Sequence, residues 1–430
     1  MQVVIAHSHL NPGGVTRVIE SQTEALKEIP VKVIAGACPN PESITSEGAE
    51  LIIIEELNYL PKKKYSDKEA MEMLHLVHQK INKHIEPDTV LHFHNLNLGK
   101  NPIVTYAVYL LAKDGVKVLN HAHDFAEDRP SNLTFLKEIL TNIFLQDVNE
   151  VLYPQLPNYQ FGVINSADFE RLVSFGVNPE RIAWLPNPVN LKASAKNFET
   201  NKAKHNVCKT LQTDENKLLV TYPVRVIQRK NIGEFILLSI LFDRVASFAV
   251  TQPPKNPVEI EMYKQWVKFC EEQNIDVVFE AGVKTDFETL LAGSDFCITT
   301  SYMEGFGMVY LEPWLLGTPV VGRDIDYITR DFKNDGFEFP ALYYKLNIPG
   351  IKVDFKDLNM KLQMEIITDL KSGRLQKQKV FEQNPILNTL FKKVADSVTA
   401  KNKTIIQNNY SLKGYGNKLQ ERYKKLVEQA

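Results

Sequence analysis

Short apolar runs alternate with longer amphipathic stretches through the first half of the chain. The runs at 3–6, 31–35, 51–54, 90–93, 116–119 and 161–164 have the length and β-branched content of buried strands. Between them, apolar positions recur at helical spacing over 15–28, 70–84, 102–113 and 167–175. Such alternation predicts βαβ units and a parallel sheet. A stretch rich in Lys, Asn and Thr over 191–216 breaks the pattern and reads as a linker region. The alternation then resumes, with strands at 218–222, 247–251, 277–281, 296–299 and 320–322 and helices at 232–241, 259–273, 287–292 and 308–316. The expected fold is α/β: two Rossmann-like, doubly wound parallel-sheet domains, over 1–190 and 217–405, facing a central cleft. Open sheets of this kind bind ligands at the carboxyl ends of their strands. An amphipathic, charged stretch at 411–428 predicts a last helix, within a segment 406–430 that packs back on the N-terminal domain.

Composition narrows the class. A chain of 430 residues exceeds what one core organises, and 44% hydrophobic with 24% charged residues is ordinary globular usage. A formal net charge of -2 leaves no footprint for a nucleic-acid partner. No apolar run approaches the ~20 residues of a spanning helix, and the opening residues read as a strand rather than a signal peptide. Lys62-Lys63-Lys64 reads as an exposed turn, so membrane contact is at most peripheral. The four cysteines, Cys38, Cys208, Cys270 and Cys297, are scattered. Their spacing argues against a zinc site and a disulfide framework, and points to a reducing, cytoplasmic compartment.

The most informative segment runs from Thr300 to Trp314, directly after the apolar run 296–299. Gly305 and Gly307 mark a tight turn with a close backbone approach. Glu304 falls at the strand-to-helix turn and Glu312 inside the following helix. Helix starts favour anions, so two carboxylates there call for a partner, and the hydroxyls of a sugar supply one. Arg225, Arg229 and Lys230 follow the first strand of the second half and precede a helix, as in a diphosphate receptor. A solvated basic turn is the plain alternative. Gly13-Gly14 opens a helix after the first strand, which lets backbone amides approach a phosphate. The sequence there is not G-x-G-x-x-G, so a dinucleotide site is not supported.

Six of the ten histidines form three His-x-His pairs: His7/His9, His92/His94 and His121/His123. Each follows an apolar run, so all three are expected at strand ends of one sheet. Imidazoles ligate zinc, but no thiolate or carboxylate–histidine partner accompanies them, and no metal is assigned. Packed, hydrogen-bonded histidines are the plain reading. The reading preferred here is that one or two touch a polar substrate, His123 with Asp124 foremost and His9 and His94 on the acceptor side.

Taken as an ordered set, these segments resemble the retaining, family 4-like glycosyltransferases of the GT-B fold. Gly13-Gly14, His123-Asp124, Asn165-Ser166, the crossover Leu185-Pro186-Asn187-Pro188-Val189-Asn190, the Arg225/Lys230 pair and Glu304…Glu312 match the family's motifs in order over most of the chain. The chain departs at Pro188 and Asn190, where the family carries Gly and Asp, and in the charged segment 322–329. The resemblance implies a nucleotide-diphosphate sugar donor, no cofactor and no metal, with the acceptor a small molecule or glycan. It implies a catalytic set of His123, Arg225, Lys230 and Glu304. Glu304 would bind sugar hydroxyls, Glu312 the ribose, and His123 the donor sugar. Gly13, Gly14, Gly305, Phe306 and Gly307 would line the donor site, with the base near Val283 and Lys284. Transfer would retain configuration by front-face attack, with no side-chain nucleophile. A phosphorylase of the same fold is the nearest alternative. A nucleotide-sugar epimerase would need acid/base carboxylates at the sugar, and a non-catalytic binding subunit would be expected to have lost Arg225, Lys230 or Glu304.

Overall fold

The computed structural model describes residues 1–189 and 200–429. The chain divides into two compact units, Met1–Asn190 with Asn409–Ala430, and Leu191–Asn408. In the first, seven strands form a parallel sheet of order β3-β2-β1-β4-β5-β6-β7. They are β1 (Gln2–His7), β2 (Val31–Ala35), β3 (Glu50–Ile53), β4 (Thr89–His94), β5 (Lys117–Ala122), β6 (Tyr159–Val163) and β7 (Ile182–Trp184). Both faces are apolar because helices cover both. On one face Val4, Leu91, Phe93 and Val118 pack with Leu74, Val77, Ile103 and Ala107. On the other, the last helix, Leu412–Gln429, lays Tyr415, Leu419, Tyr423 and Leu426 against Val3, Ile5, Val90 and Leu119. Gly416 permits that approach, since a Cβ there would meet Ala25 O at 2.7 Å.

The second unit holds a six-stranded parallel sheet of order β10-β9-β8-β11-β12-β13. Its strands are β8 (Leu218–Arg225), β9 (Ala246–Gln252), β10 (Val277–Val278), β11 (Phe296–Thr299), β12 (Val320–Arg323) and β13 (Leu342–Tyr343). The segment read as a linker contains a helix, Thr200–Leu211, whose Val207, Cys208 and Leu211 pack with Leu219, Ala249 and Leu290. Its apolar positions recur every three or four residues but are diluted by Lys and Asn. The rest of the segment before it, 190–199, lies outside the described residues, as does Asn190 of the crossover.

Two elements differ from expectation. The run 277–281 pairs only through Val277 and Val278. Glu280 then takes a left-handed φ of 59°, and Ala281–Lys284 is a helical turn. The expected helix 308–316 is broken into a 3-10 turn, Met308–Tyr310, and a short helix, Glu312–Leu315. Pro313 explains the break: it has no N–H to continue a helix and fits only a first turn. Glu312 therefore heads the short helix rather than sitting inside a long one.

Candidate functional site

In the second unit, the loops leaving the neighbouring strands β8 and β11 are laced together. Tyr222 OH donates to Lys230 O at 3.0 Å, and Thr300 Oγ1 lies 3.0 Å from Lys230 O and 3.1 Å from Asn231 O. Tyr302 N donates to Arg229 O at 3.1 Å. Asn231 turns the chain into the helix Ile232–Leu241 with φ 51°, a left-handed conformation that Asn tolerates. These bonds hold Arg229 and Lys230 against Glu304. Arg229 Nη1 donates to Glu304 Oε2 and to Met303 O, both at 2.8 Å, and Lys230 Nζ donates to Glu304 Oε1. Tyr327 OH closes the loop, accepting from Glu304 N at 3.0 Å and donating to Glu304 O at 2.9 Å.

The electrostatics follow from burial and count. Burial alone would raise the pKa of Glu304, but Lys230 and Arg229 outweigh it and hold the carboxylate below its ordinary range. For Lys230, burial lowers the pKa against the pull of Glu304, with Arg229 adding to the decrease. Two cations thus share one carboxylate. Arg225 closes β8, and its Nε is buried without a hydrogen-bond partner among the described residues. The positive excess suits an anion such as a diphosphate.

Gly305 is exposed, and a Cβ there would meet nothing within 4 Å. Gly307 has a different role. Its φ of 88° and the 2.6 Å approach of Ile328 Cγ2 to a Cβ position require glycine. Phe306 is buried and packs edge-on against Phe332. Val283 and Lys284 stand exposed on the turn Ala281–Lys284. Segment 322–329 proves structural in part. Arg323 is buried, its guanidinium pairing with Glu234 and with Asp354 at 2.7 and 3.0 Å. Asp324 is held by Thr329 and, at 2.6 Å, by Lys333.

In the first unit, the His-x-His pairs lie at the ends of the adjacent strands β1, β4 and β5, as the spacing predicts. Four of the rings form two hydrogen-bonded couples. His92 Nε2 meets His121 Nδ1 at 3.2 Å, and His94 Nδ1 meets His123 Nε2 at 2.9 Å. The couples stack, His92 on His94 at 4.6 Å and His121 on His123 at 4.4 Å between ring centres. Tyr423 OH at 2.6 Å caps the first couple through His92 Nδ1, and Gln22 Oε1 at 2.9 Å caps the second through His94 Nε2. His92, His94 and His121 each place a nitrogen within 4.8 Å of the others, a spacing that a metal could use. In the structure both nitrogens of His92 and of His94 are hydrogen-bonded, as is His121 Nδ1, while His121 Nε2 is buried without a partner among the described residues. Burial drives the pKa values of His92 and His123 down to about 3 and that of His94 well below the ordinary value.

Among the acceptor-side candidates, His94 is fully buried and both its ring nitrogens are hydrogen-bonded, to His123 and to Gln22. His123 and Asp124 are partly exposed, and their backbone N–H groups share Asn95 Oδ1 at 2.8 and 3.1 Å. His9 is half-buried, edge-on to Tyr59 at 4.7 Å. Gly13 and Gly14 are exposed at the start of the helix Gly14–Ala25, whose N-cap residue, Gly13, offers its first amides no side-chain acceptor. Sequence reasoning missed three residues: Arg229 as a direct partner of Glu304, and Gln22 and Tyr423, whose hydrogen bonds to histidines reach across 72 and 331 positions. Only Arg229 carried a local signal, its place in the basic cluster.

No family model matches the chain. Over 346 residues, 77% of the chain, it is 28% identical to mannosylglucosyl-3-phosphoglycerate synthase of Petrotoga mobilis, and the match spans 66% of that protein. A glycosyltransferase from Rickettsia africae superposes with a TM-score of 0.64 at 16% identity, covering 100% of this chain and 99% of that one. Anabaena HepE, solved in complex with UDP-glucose, superposes with a TM-score of 0.63 at 13% identity, covering 98% of each chain. No helix among the described residues is long and apolar enough to cross a membrane. With a seven-stranded and a six-stranded parallel sheet and these neighbours, the chain has the GT-B architecture.

Proposed function

We propose that the protein is a retaining glycosyltransferase that moves a hexose from a nucleotide-diphosphate sugar to a hydroxyl of a polar acceptor. The observation that carries this reading is the Glu304 carboxylate, held between Arg229 and Lys230 beside the exposed Gly305. A carboxylate fixed in that way is oriented to accept from sugar hydroxyls, while the cations on either side take the charge of a departing diphosphate. Arg225, from the end of β8, joins them on the diphosphate. Glu312 binds the ribose, and the base lies by Val283 and Lys284. In the first unit, His123 accepts from a substrate hydroxyl, and the amides at Gly13 and Gly14 face a phosphate. The anomeric carbon–phosphate oxygen bond breaks through an oxocarbenium-like state. The acceptor oxygen attacks from the same face, and its proton passes to the leaving phosphate. Side-chain and backbone charge suffice for this scheme, so no cofactor enters it.

Two similarities support the reading: a relative named as a synthase of a mannosylglucosyl conjugate, and a fold neighbour that binds UDP-glucose. A calorimetric screen of nucleoside diphosphates and their hexose conjugates tests the donor half. Binding of at least one nucleotide sugar, lost in Lys230→Ala, is expected. A protein that binds none of them, or binds them unchanged in the variant, is not using this site.

A further inference from the structure

The carboxyl end of the first unit's sheet, beside His9, carries charge that none of the roles above uses. Residues 58–62 lie against the entry to the helix Pro102–Lys113: Leu60 N donates to Lys100 O at 3.0 Å, and Asn101 Nδ2 to Asn58 O at 2.7 Å. The Lys100 ammonium sits 4.4 Å from the centre of the Tyr59 ring, whose edge contact is His9. Lys62 Nζ reaches across to Ser131 Oγ at 2.8 Å and Asn132 Oδ1 at 2.6 Å, in the first turn of the helix Pro130–Lys137. Arg129, the residue before that helix, pairs with Asp124 at 2.7 Å.

Lys100 is the anomaly. It is partly buried, and among the described residues its ammonium has neither a carboxylate partner nor a hydrogen bond. Burial lowers its pKa first, Arg129 and Lys62 lower it further, and only Asp124 opposes them. The same neighbours reach Tyr59, which burial and Asp124 raise to about 12 while Arg129 pulls it down. Lys100, over the Tyr59 ring, therefore has two further cations, Lys62 and Arg129, and one carboxylate, Asp124, as charged neighbours. A partly desolvated ammonium among like charges is unfavourable until an anion joins it.

We propose that Lys62, Lys100 and Arg129 form an anion subsite, flanked by Tyr59 and His9, that holds the phosphate monoester of an acceptor. An excess of two positive charges matches a phosphate dianion better than a carboxylate, and Arg129 can still offer a guanidinium edge while Asp124 holds one nitrogen. Calling the ligand an acceptor rests on the glycosyltransferase reading; the binding of the anion does not.

The experiment is calorimetry on the full chain with glycerol 3-phosphate, glycerate and glycerol at low salt. Glycerol 3-phosphate should bind at least about tenfold more tightly than glycerol. Lys100→Gln and Arg129→Gln should each lose about tenfold, and the exposed Lys62→Gln about threefold. Lys100→Gln keeps the alkyl stem over Tyr59, and an unchanged melting temperature shows that the fold is intact. Tighter binding of glycerate than of glycerol 3-phosphate would overturn the assignment to phosphate. Equal affinity for all three probes, or variants that bind as the native chain does, would overturn the subsite. Absence of nucleotide-sugar turnover with anion binding intact would instead sink the transferase reading and leave the subsite standing.

Discussion

His94 Nδ1 lies 2.9 Å from His123 Nε2, and the direction of that hydrogen bond is set from its far end. Gln22 donates its Nε2 to Tyr415 OH at 2.8 Å, which leaves Oε1 to accept from His94 Nε2 at 2.9 Å. A neutral His94 protonated at Nε2 must accept at Nδ1, so His123 donates from Nε2. Nδ1 of His123, which has no partner among the described residues, is then an acceptor, ready for a substrate hydroxyl. On the role proposed for His123, His94 and Gln22 position its ring through these bonds. Ring nitrogen shifts in NMR should show His123 as the Nε2–H tautomer in the native chain and as a mixture in His94→Phe. Identical shifts in both proteins would refute the relay.

The same histidines make the first unit sensitive to acid. Burial is the leading cause that lowers His7, His92 and His123 from 6.5 to about 3, and His94 and His121 move the same way. The unfolded chain binds these protons below about pH 6.5, whereas the folded chain refuses those of His7, His92 and His123 until about pH 3. Their stabilisation is complete above about pH 6.5 and is lost as pH falls toward 3. Each contributes a slope approaching ~1.4 kcal/mol per pH unit in that window. Near-UV circular dichroism should show the melting temperature dropping steeply from pH 7 to pH 5. A flat profile would mean that the rings are already charged in the fold.

Arg323 supports the second unit from within. Its guanidinium is the shared partner of Glu234 and Asp354, and Tyr343 OH donates to Glu234 Oε1 at 2.8 Å. Arg323→Met strands two buried carboxylates and should cost about 3–5 kcal/mol in urea denaturation. A loss within ~0.5 kcal/mol would show that the carboxylates find other partners or take up protons cheaply.

The strand-and-helix order was readable because both sheets are covered on both faces, so each strand is a plain apolar run bounded by polar residues. β7 and β13 were not, being three and two residues long. Thr200–Leu211 was hidden because its buried face is only four residues among lysines and asparagines. At the site, Glu304, Lys230 and the glycines were legible from local chemistry at strand ends. The burial of His94 was not, because it depends on Gln22, on the last helix and on the stacking of rings from two strands. The charges of 322–329 stood out in sequence only as a departure from the family, and in the structure Arg323 and Asp324 are held by Glu234, Asp354, Thr329 and Lys333.

The two glycines that flank Phe306 should respond in opposite ways. Gly307→Ala forces a side chain into a left-handed φ and against Ile328, and should destabilise by about 1–2 kcal/mol or more. Gly305→Ala meets open space and should stay within ~0.5 kcal/mol of the native chain, while weakening nucleotide-sugar binding. Thermal melts paired with calorimetry separate the two effects. Equal loss of stability in both would contradict the division of roles.

The most direct test is the rate of nucleoside diphosphate release from nucleotide hexoses, in the presence of a phosphorylated polyol acceptor. It is to be measured for the native chain, Lys230→Ala and Glu304→Ala, with melting temperatures to confirm folding. The expected result is turnover with at least one donor, falling by about 100-fold or more in each variant. Undiminished rates in both variants, or turnover only with a sugar phosphate or with inorganic phosphate and a disaccharide, would contradict the proposal that this site transfers sugar from a nucleotide.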